Sequence, residues 1–187
     1  MIEEINLVKI IAEVGINHGG KIETAMQLID ESAKAGCWGV KFQYRDPKTF
    51  YLKTSEIGDE ILLEEINRVN LSLEDIKSLL KYTKSKNLKG GISFFRVEDA
   101  KKFINFCDFA DFFKIPSAEC MNSELIDYLV KQDKELIIST GGHLSEEIKT
   151  LVQNYLFNNK ISFLHCVANY PTRIGVQNLN FISSLKY

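Results

Sequence analysis

Six times along this 187-residue chain an apolar, β-branched run gives way to a stretch with helical spacing, and that alternation constrains the fold more than any single motif. Val8–Val14, Trp38–Tyr44, Leu88–Phe95, a run from near Ala110 to Ile115, Glu135–Thr140 and Ile161–Val167 are the expected strands. Glu23–Ala35, Leu73–Lys86, Val97–Cys107, Ser123–Lys131, Ser145 to about Phe157 and a last segment from Leu179 to Tyr187 are the expected helices. Punctuation supports them: Ser72 is placed to cap a helix start, Gly36 and Asn87 to end one, and Ser145 precedes the acidic pair Glu146-Glu147. A longer polar insertion, Asp46–Asn70, reads as helical around Glu60–Val69. Strands separated by helices pair in parallel, and no dinucleotide-type glycine fingerprint follows any of them. Polar residues instead gather at the carboxyl ends: Glu13, Lys41, Gln43, Ser93, Lys114, Ser139 and Tyr170. The expectation is an α/β fold, a TIM-type (β/α) barrel. A complete barrel needs eight such units in about 250 residues, so this one is expected to be incomplete, with about six.

Composition removes several function classes. A net charge of −2 and a pI near 6.0 give no electrostatic case for nucleic acid or an anionic membrane. Cys37, Cys107, Cys120 and Cys166 are widely spaced, with no CxxC pair, which favours reduced thiols in a cytoplasmic protein over a disulfide framework or zinc site. The N-terminus is acidic and leads into a strand rather than a signal peptide. No apolar run approaches the roughly 18 residues of a membrane span.

The stretch with most chemistry is Phe112-Phe113-Lys114-Ile115-Pro116-Ser117-Ala118-Glu119. Its strand delivers Lys114 near the carboxyl end, Pro116 stops the ladder, and Ser117 and Glu119 follow on the loop. A cation, a hydroxyl and a carboxylate at a strand mouth suit a phosphorylated or carboxylated substrate. His18 reads as a loop residue of the site, His143 as a solvated loop residue, and His165 as a mid-strand core residue. The Phe103, Phe106, Phe109, Phe112 and Phe113 cluster reads as core, and Glu60, Glu64, Glu65 and Arg68 as a solvated helix face.

Four ordered segments, AEVGINHGGKIETAMQLIDESAKAGCWGVKFQ, FFKIPSAECMNSELIDYLV, ELIISTGGHLSEEI and LHCVANYPT, resemble in order and spacing the N-terminal domain of the sialic acid synthase family. That family includes N-acetylneuraminate synthases, pseudaminic and legionaminic acid synthases and spore-coat polysaccharide relatives. The resemblance implies condensation of phosphoenolpyruvate with an N-acetylated mannosamine-type sugar, giving a nine-carbon 2-keto acid and phosphate. It places Lys41, Ser93, Lys114, Ser117 and Ser139 on phosphoenolpyruvate, and Gln43, Glu119, Tyr170 and Glu13 on the sugar, with Glu119 and Lys114 in catalytic positions. It also implies a divalent metal, manganese or magnesium, whose two histidine ligands have no counterpart in this chain. A homodimer is implied as well, completed by an antifreeze-like domain that 1–187 does not contain. The sequence departs from the family pattern at Gly19, where asparagine is usual, at Ser93-Phe94-Phe95, where Thr-Pro-Phe is common, at Gly142, where methionine is common, and at Ala168, where some members have asparagine. The alternatives are a pseudaminic or legionaminic acid or spore-coat polysaccharide precursor synthase, and an inactive truncated or split-gene fragment that works only with a partner chain.

Overall fold

Ser72 shows how local chemistry sets the elements. Its backbone is extended, its hydroxyl oxygen accepts from the Asp75 N–H at 3.1 Å, and the Asp75 carboxylate accepts from the Ser72 N–H at 3.0 Å. This reciprocal cap satisfies two otherwise orphaned donors. At the other end Asn87 takes a left-handed turn (φ 61°), and Gly36 (φ 74°) does the same after the first helix.

The computed structural model describes residues 8–46 and 60–184, with backbone alone at 60–63 and 184. Parts of the expected insertion (47–59), the Glu60 side chain of the expected solvated face, and the end of the last expected helix (185–187) lie outside the described residues. The hydrogen-bonded order of the six described strands follows the chain, each separated from the next by helix. This is the parallel strand–helix alternation of a TIM-type barrel, with six of its eight strands among the described residues.

The chain packs as two units, residues 1–91 with 107–110 and residues 92–106 with 111–187. The first holds β1 (Ile11–Gly15), α1 (Ile22–Lys34), β2 (Gly39–Gln43), α2 (Glu60–Val69), α3 (Leu73–Ser85) and the start of β3 (Lys89–Ser93). β1 pairs in parallel with β2, Glu13 opposite Lys41, with an irregularity between Glu13 and Gly15. Ala25, Ile29, Val40, Phe42, Ile76, Leu79 and Leu80 form its core. Tyr82 and Lys86 on the α3 side both reach Asp30 of α1, and these contacts push the Lys86 amine up to about 12. A side chain at Gly39 would meet the Lys89 carbonyl at 2.6 Å, so the two strands approach more closely there than an alanine allows.

The second unit holds the end of β3, α4 (Val97–Phe106), β4 (Phe112–Ile115), α5 (Ser123–Val130), β5 (Glu135–Ser139), α6 (Ser145–Asn154), β6 (Ile161–Leu164) and α7 (Phe181–Ser184). β4 pairs in parallel with β5, Lys114 opposite Ile137, and β5 with β6. Phe94 sits 5.4 Å from Phe103 and 5.6 Å from Phe113 between tilted rings, as the core reading of the aromatic cluster expects. Phe109, by contrast, is exposed beneath Lys81 in the first unit.

Three boundaries differ from expectation. β1 begins at Ile11 rather than Val8, because Val8 is 86% exposed and buries no side chain against the core. α6 ends at Asn154 rather than near Phe157, whose ring is exposed. β6 ends at Leu164, whose carbonyl takes both the Thr140 N–H and the Thr140 hydroxyl. No helix of the described residues is long and apolar enough to cross a membrane. Replacing the α3 cap, Ser72→Ala, is expected to lower stability by about 1 kcal/mol, while Ser72→Gly costs only a few tenths. Urea denaturation of the three proteins checks this, and equal midpoints would remove the cap from the account.

Candidate active site

In the first unit, parallel register brings a carboxylate and an amine together. Glu13 and Lys41 are partners on β1 and β2, and Lys41 Nζ lies 2.5 Å from Glu13 Oε2. Lys41 is only 6% exposed. Burial pulls its pKa below the usual lysine range, and Glu13 pulls it partly back. Beside the pair, Gly15 has φ +51°, and a Cβ there would meet Glu13 Oε1 at 2.7 Å and Gln43 Nε2 at 3.3 Å. Glycine is needed twice over at this point, for the turn and for the space that the carboxylate and amide use. Glu13, Lys41 and Gln43 are thus one polar group at the carboxyl ends of β1 and β2.

The loop that follows is ordered by His18. Its Nδ1 accepts the Gly20 N–H at 3.0 Å, which requires an unprotonated Nδ1. The ring is buried, and that burial holds its pKa below the ordinary histidine value against a backbone hydrogen bond at Gly15.

In the second unit, Lys114 is half-buried at the end of β4, its carbonyl accepting from the Phe94 N–H. Pro116 ends the strand, and Ser117–Glu119 wind into one 3-10 turn. Glu119 Oε2 accepts from Asn122 Nδ2 at 3.0 Å. Asn122 Oδ1 accepts the Leu125 N–H to cap α5, and that cap fixes which way the amide faces. Ser117 Oγ accepts from the Gly141 N–H at 3.0 Å. Ser93 and Ser139 are buried at the ends of β3 and β5. Burial, with the Glu147 carboxylate adding to it, pushes the Cys120 thiol up to about 11, so this cysteine is a packing residue rather than a nucleophile.

Ser117 and the β5–α6 loop are brought together, and Glu119 stands on the same turn as Ser117. Tyr170 lies outside this packing, its side chain 97% exposed. Two histidines differ from expectation. His165 is not a mid-strand core residue: it follows the end of β6, is half-buried, and bonds the Gln177 carbonyl through Nε2 at 2.7 Å. His143 is not simply solvated: its Nε2 meets the Ser117 carbonyl at 3.0 Å. Sequence carried no signal for that contact, which joins two loops 26 residues apart. A cavity of about 120 Å³ beside it is lined by Thr140, His143, Ser145, His165, Cys166 and Phe181, among others.

Among the described residues no three His, Cys, Asp or Glu side chains group closely enough to hold a metal ion. Those described residues therefore do not build a divalent-metal site.

His18 also makes stability depend on pH. Its folded pKa is lowered, so below its ordinary value of 6.5 the unfolded chain binds a proton that the folded loop resists. Stability is therefore expected to fall as pH drops below about 6.5, by at most about 1.4 kcal/mol per pH unit from this one group. Urea midpoints between pH 7.5 and 5.5 should show a shallower slope in His18→Gln than in the wild type. The same slope in both would exclude His18 as its source.

The NeuB family profile matches residues 28–187. The N,N'-diacetyllegionaminic acid synthase of Campylobacter jejuni is 32% identical, over 95% of this chain and 56% of its own length. The N-acetylneuraminate-9-phosphate synthase of Drosophila melanogaster is 31% identical, over 97% and 51%. The crystal structure of the N-acetylneuraminic acid synthetase of Leptospira borgpetersenii superposes with a TM-score of 0.83 at 27% identity, over 96% of this chain and 61% of that one. The chain spans about half the length of the curated relatives it matches. With the profile matched over most of its length and the fold shared with a solved relative, the chain belongs to the NeuB family.

Proposed function

We propose that the chain carries the phosphoenolpyruvate-binding part of a sialic-acid-type synthase, a cytoplasmic, dimeric enzyme. The activity joins phosphoenolpyruvate to an N-acetylated mannosamine-type sugar. The observation that carries this reading is the β4 mouth, where Lys114, Ser117 and Glu119 occur within six residues, in a chain of this family.

In the second unit, Lys114 with the Ser93, Ser117 and Ser139 hydroxyls is assigned to the phosphate and carboxylate, through charge-assisted and neutral hydrogen bonds. Glu119 and Tyr170 are assigned to the sugar. In the first unit, Lys41 is assigned to phosphoenolpyruvate, with Glu13 paired to its buried amine, and Gln43 and Glu13 to the sugar. In the reaction, C3 of phosphoenolpyruvate attacks the open-chain aldehyde carbon, whose oxygen takes up a proton. Water adds to the oxocarbenium-like C2, and loss of phosphate with cleavage of its C–O bond leaves the 2-keto acid. Glu119, held by Asn122, orients the aldehyde or moves a proton at its oxygen. No step is routed through the divalent metal used by the family, because the described residues do not form its site. Legionaminic, pseudaminic, N-acetylneuraminic and spore-coat products all remain within this reading.

Calorimetry with phosphoenolpyruvate tests the proposal directly. Lys114→Ala should weaken binding by about tenfold or more, since a hydrogen bond to a charged group contributes roughly 1.5–3 kcal/mol. Equal affinities would make Lys114 structural and overturn the assignment.

Phosphate release with phosphoenolpyruvate, N-acetylmannosamine and manganese tests Glu119 separately. Glu119→Gln should cut turnover about 100-fold or more and leave phosphoenolpyruvate affinity nearly unchanged. Near-normal turnover removes its catalytic role, and a wild type that binds phosphoenolpyruvate without releasing phosphate overturns the proposed activity of this chain.

A further inference from the structure

The β5–α6 loop grips Ser117 at two points. The Gly141 N–H donates to Ser117 Oγ at 3.0 Å, and His143 Nε2 lies 3.0 Å from the Ser117 carbonyl oxygen. A carbonyl cannot donate, so His143 carries its proton on Nε2. The same carbonyl accepts the Cys120 N–H that closes the 3-10 turn, so both of its lone pairs are used. On the far side of the ring, His143 Nδ1 stands 3.8 Å from Glu147 Oε2. That oxygen is itself anchored by the Leu144 N–H at 2.8 Å, in the first turn of α6. The loop fits because residue 141 is glycine. A Cβ there would sit 3.1 Å from Ser117 Oγ and 3.2 Å from both the Cβ and the carbonyl oxygen of Cys166.

The grip has a chemical consequence. A serine hydroxyl both donates and accepts. With Gly141 on the acceptor side, the Ser117 O–H is directed away from the loop as a donor, which is the half that an anionic ligand oxygen needs. Rotation of the turn would spoil that orientation, and His143 is the side chain that ties the turn's backbone to the loop.

We propose that His143 is a positioning residue for Ser117: its Nε2–H holds the Ser117 carbonyl, so that the Gly141 N–H and the Ser117 hydroxyl stay in register and the hydroxyl proton is presented to the carboxylate or phosphate of phosphoenolpyruvate. The ligand rests on the function proposed above; the clamp itself does not.

The test compares His143→Gln, whose amide nitrogen can replace the Nε2 donor, with His143→Leu, which fills similar space and donates nothing. Amide hydrogen exchange at Gly141 reads the clamp without any ligand, and calorimetry with phosphoenolpyruvate reads its consequence. In His143→Leu, Gly141 should exchange about tenfold faster or more, and affinity should fall roughly three- to tenfold, with the thermal midpoint little changed. His143→Gln should keep Gly141 protection and affinity close to the wild type. Unchanged Gly141 exchange in His143→Leu overturns the proposal, and so does equal loss in both variants, which would mark a packing role only. Failure of the wild type to bind phosphoenolpyruvate would overturn the proposed function, while the exchange comparison would still decide the clamp.

Discussion

Parallel pairing is the constraint on which the rest depends. Two strands can run the same way only if the chain returns to the starting edge between them, and here helices make that return. The result is that polar residues collect toward the strands' carboxyl ends, as Gln43, Ser93 and Ser139 do, while apolar residues such as Val40, Ile92 and Ile138 are buried along them. β5 illustrates the division: Leu136, Ile137 and Ile138 are buried in the ladder, Ser139 ends it, and Gly141 and His143 follow on the loop. The Ser117 hydroxyl and carbonyl are thus held by the neighbouring strand's loop.

Within each unit, a buried polar group is matched to a partner that the register or a loop delivers. Lys41 would be costly as an isolated buried cation, and Glu13, its register partner, offsets that cost. Because half of the Glu13 side chain is exposed, solvent screens the pair, and it contributes less than a fully enclosed one. His18 takes the other solution, staying neutral so that Nδ1 can serve the Gly20 amide.

Much of this was legible in the sequence because it is local. The Ser72 cap, the Gly36 and Asn87 stops, the Pro116 break and the Ser123 start each depend on a few adjacent residues, and each stands where expected. Strand ends were harder, since they depend on what lies alongside. Val8 and Ile10 have strand-like composition yet remain exposed, and β6 stops where Thr140 takes the Leu164 carbonyl. The Glu13–Lys41 pair became visible only once register was known. The His143–Ser117 contact was not legible at all, because a histidine after two glycines has the same appearance whether or not a distant carbonyl awaits it. Membership of the family was legible through motif order, whereas the sugar depends on contacts that these motifs do not encode.

Gly39 sets how far the first unit can vary. A Cβ there would meet the Lys89 carbonyl, which is backbone rather than the tip of a flexible side chain, so relief requires a strand to shift. The repacking that lets a core accept a larger or smaller neighbour offers no escape at such a point. The sequence is therefore far less free to drift at residue 39 than at Gly36, where a Cβ would meet nothing within 4 Å and only the left-handed backbone favours glycine.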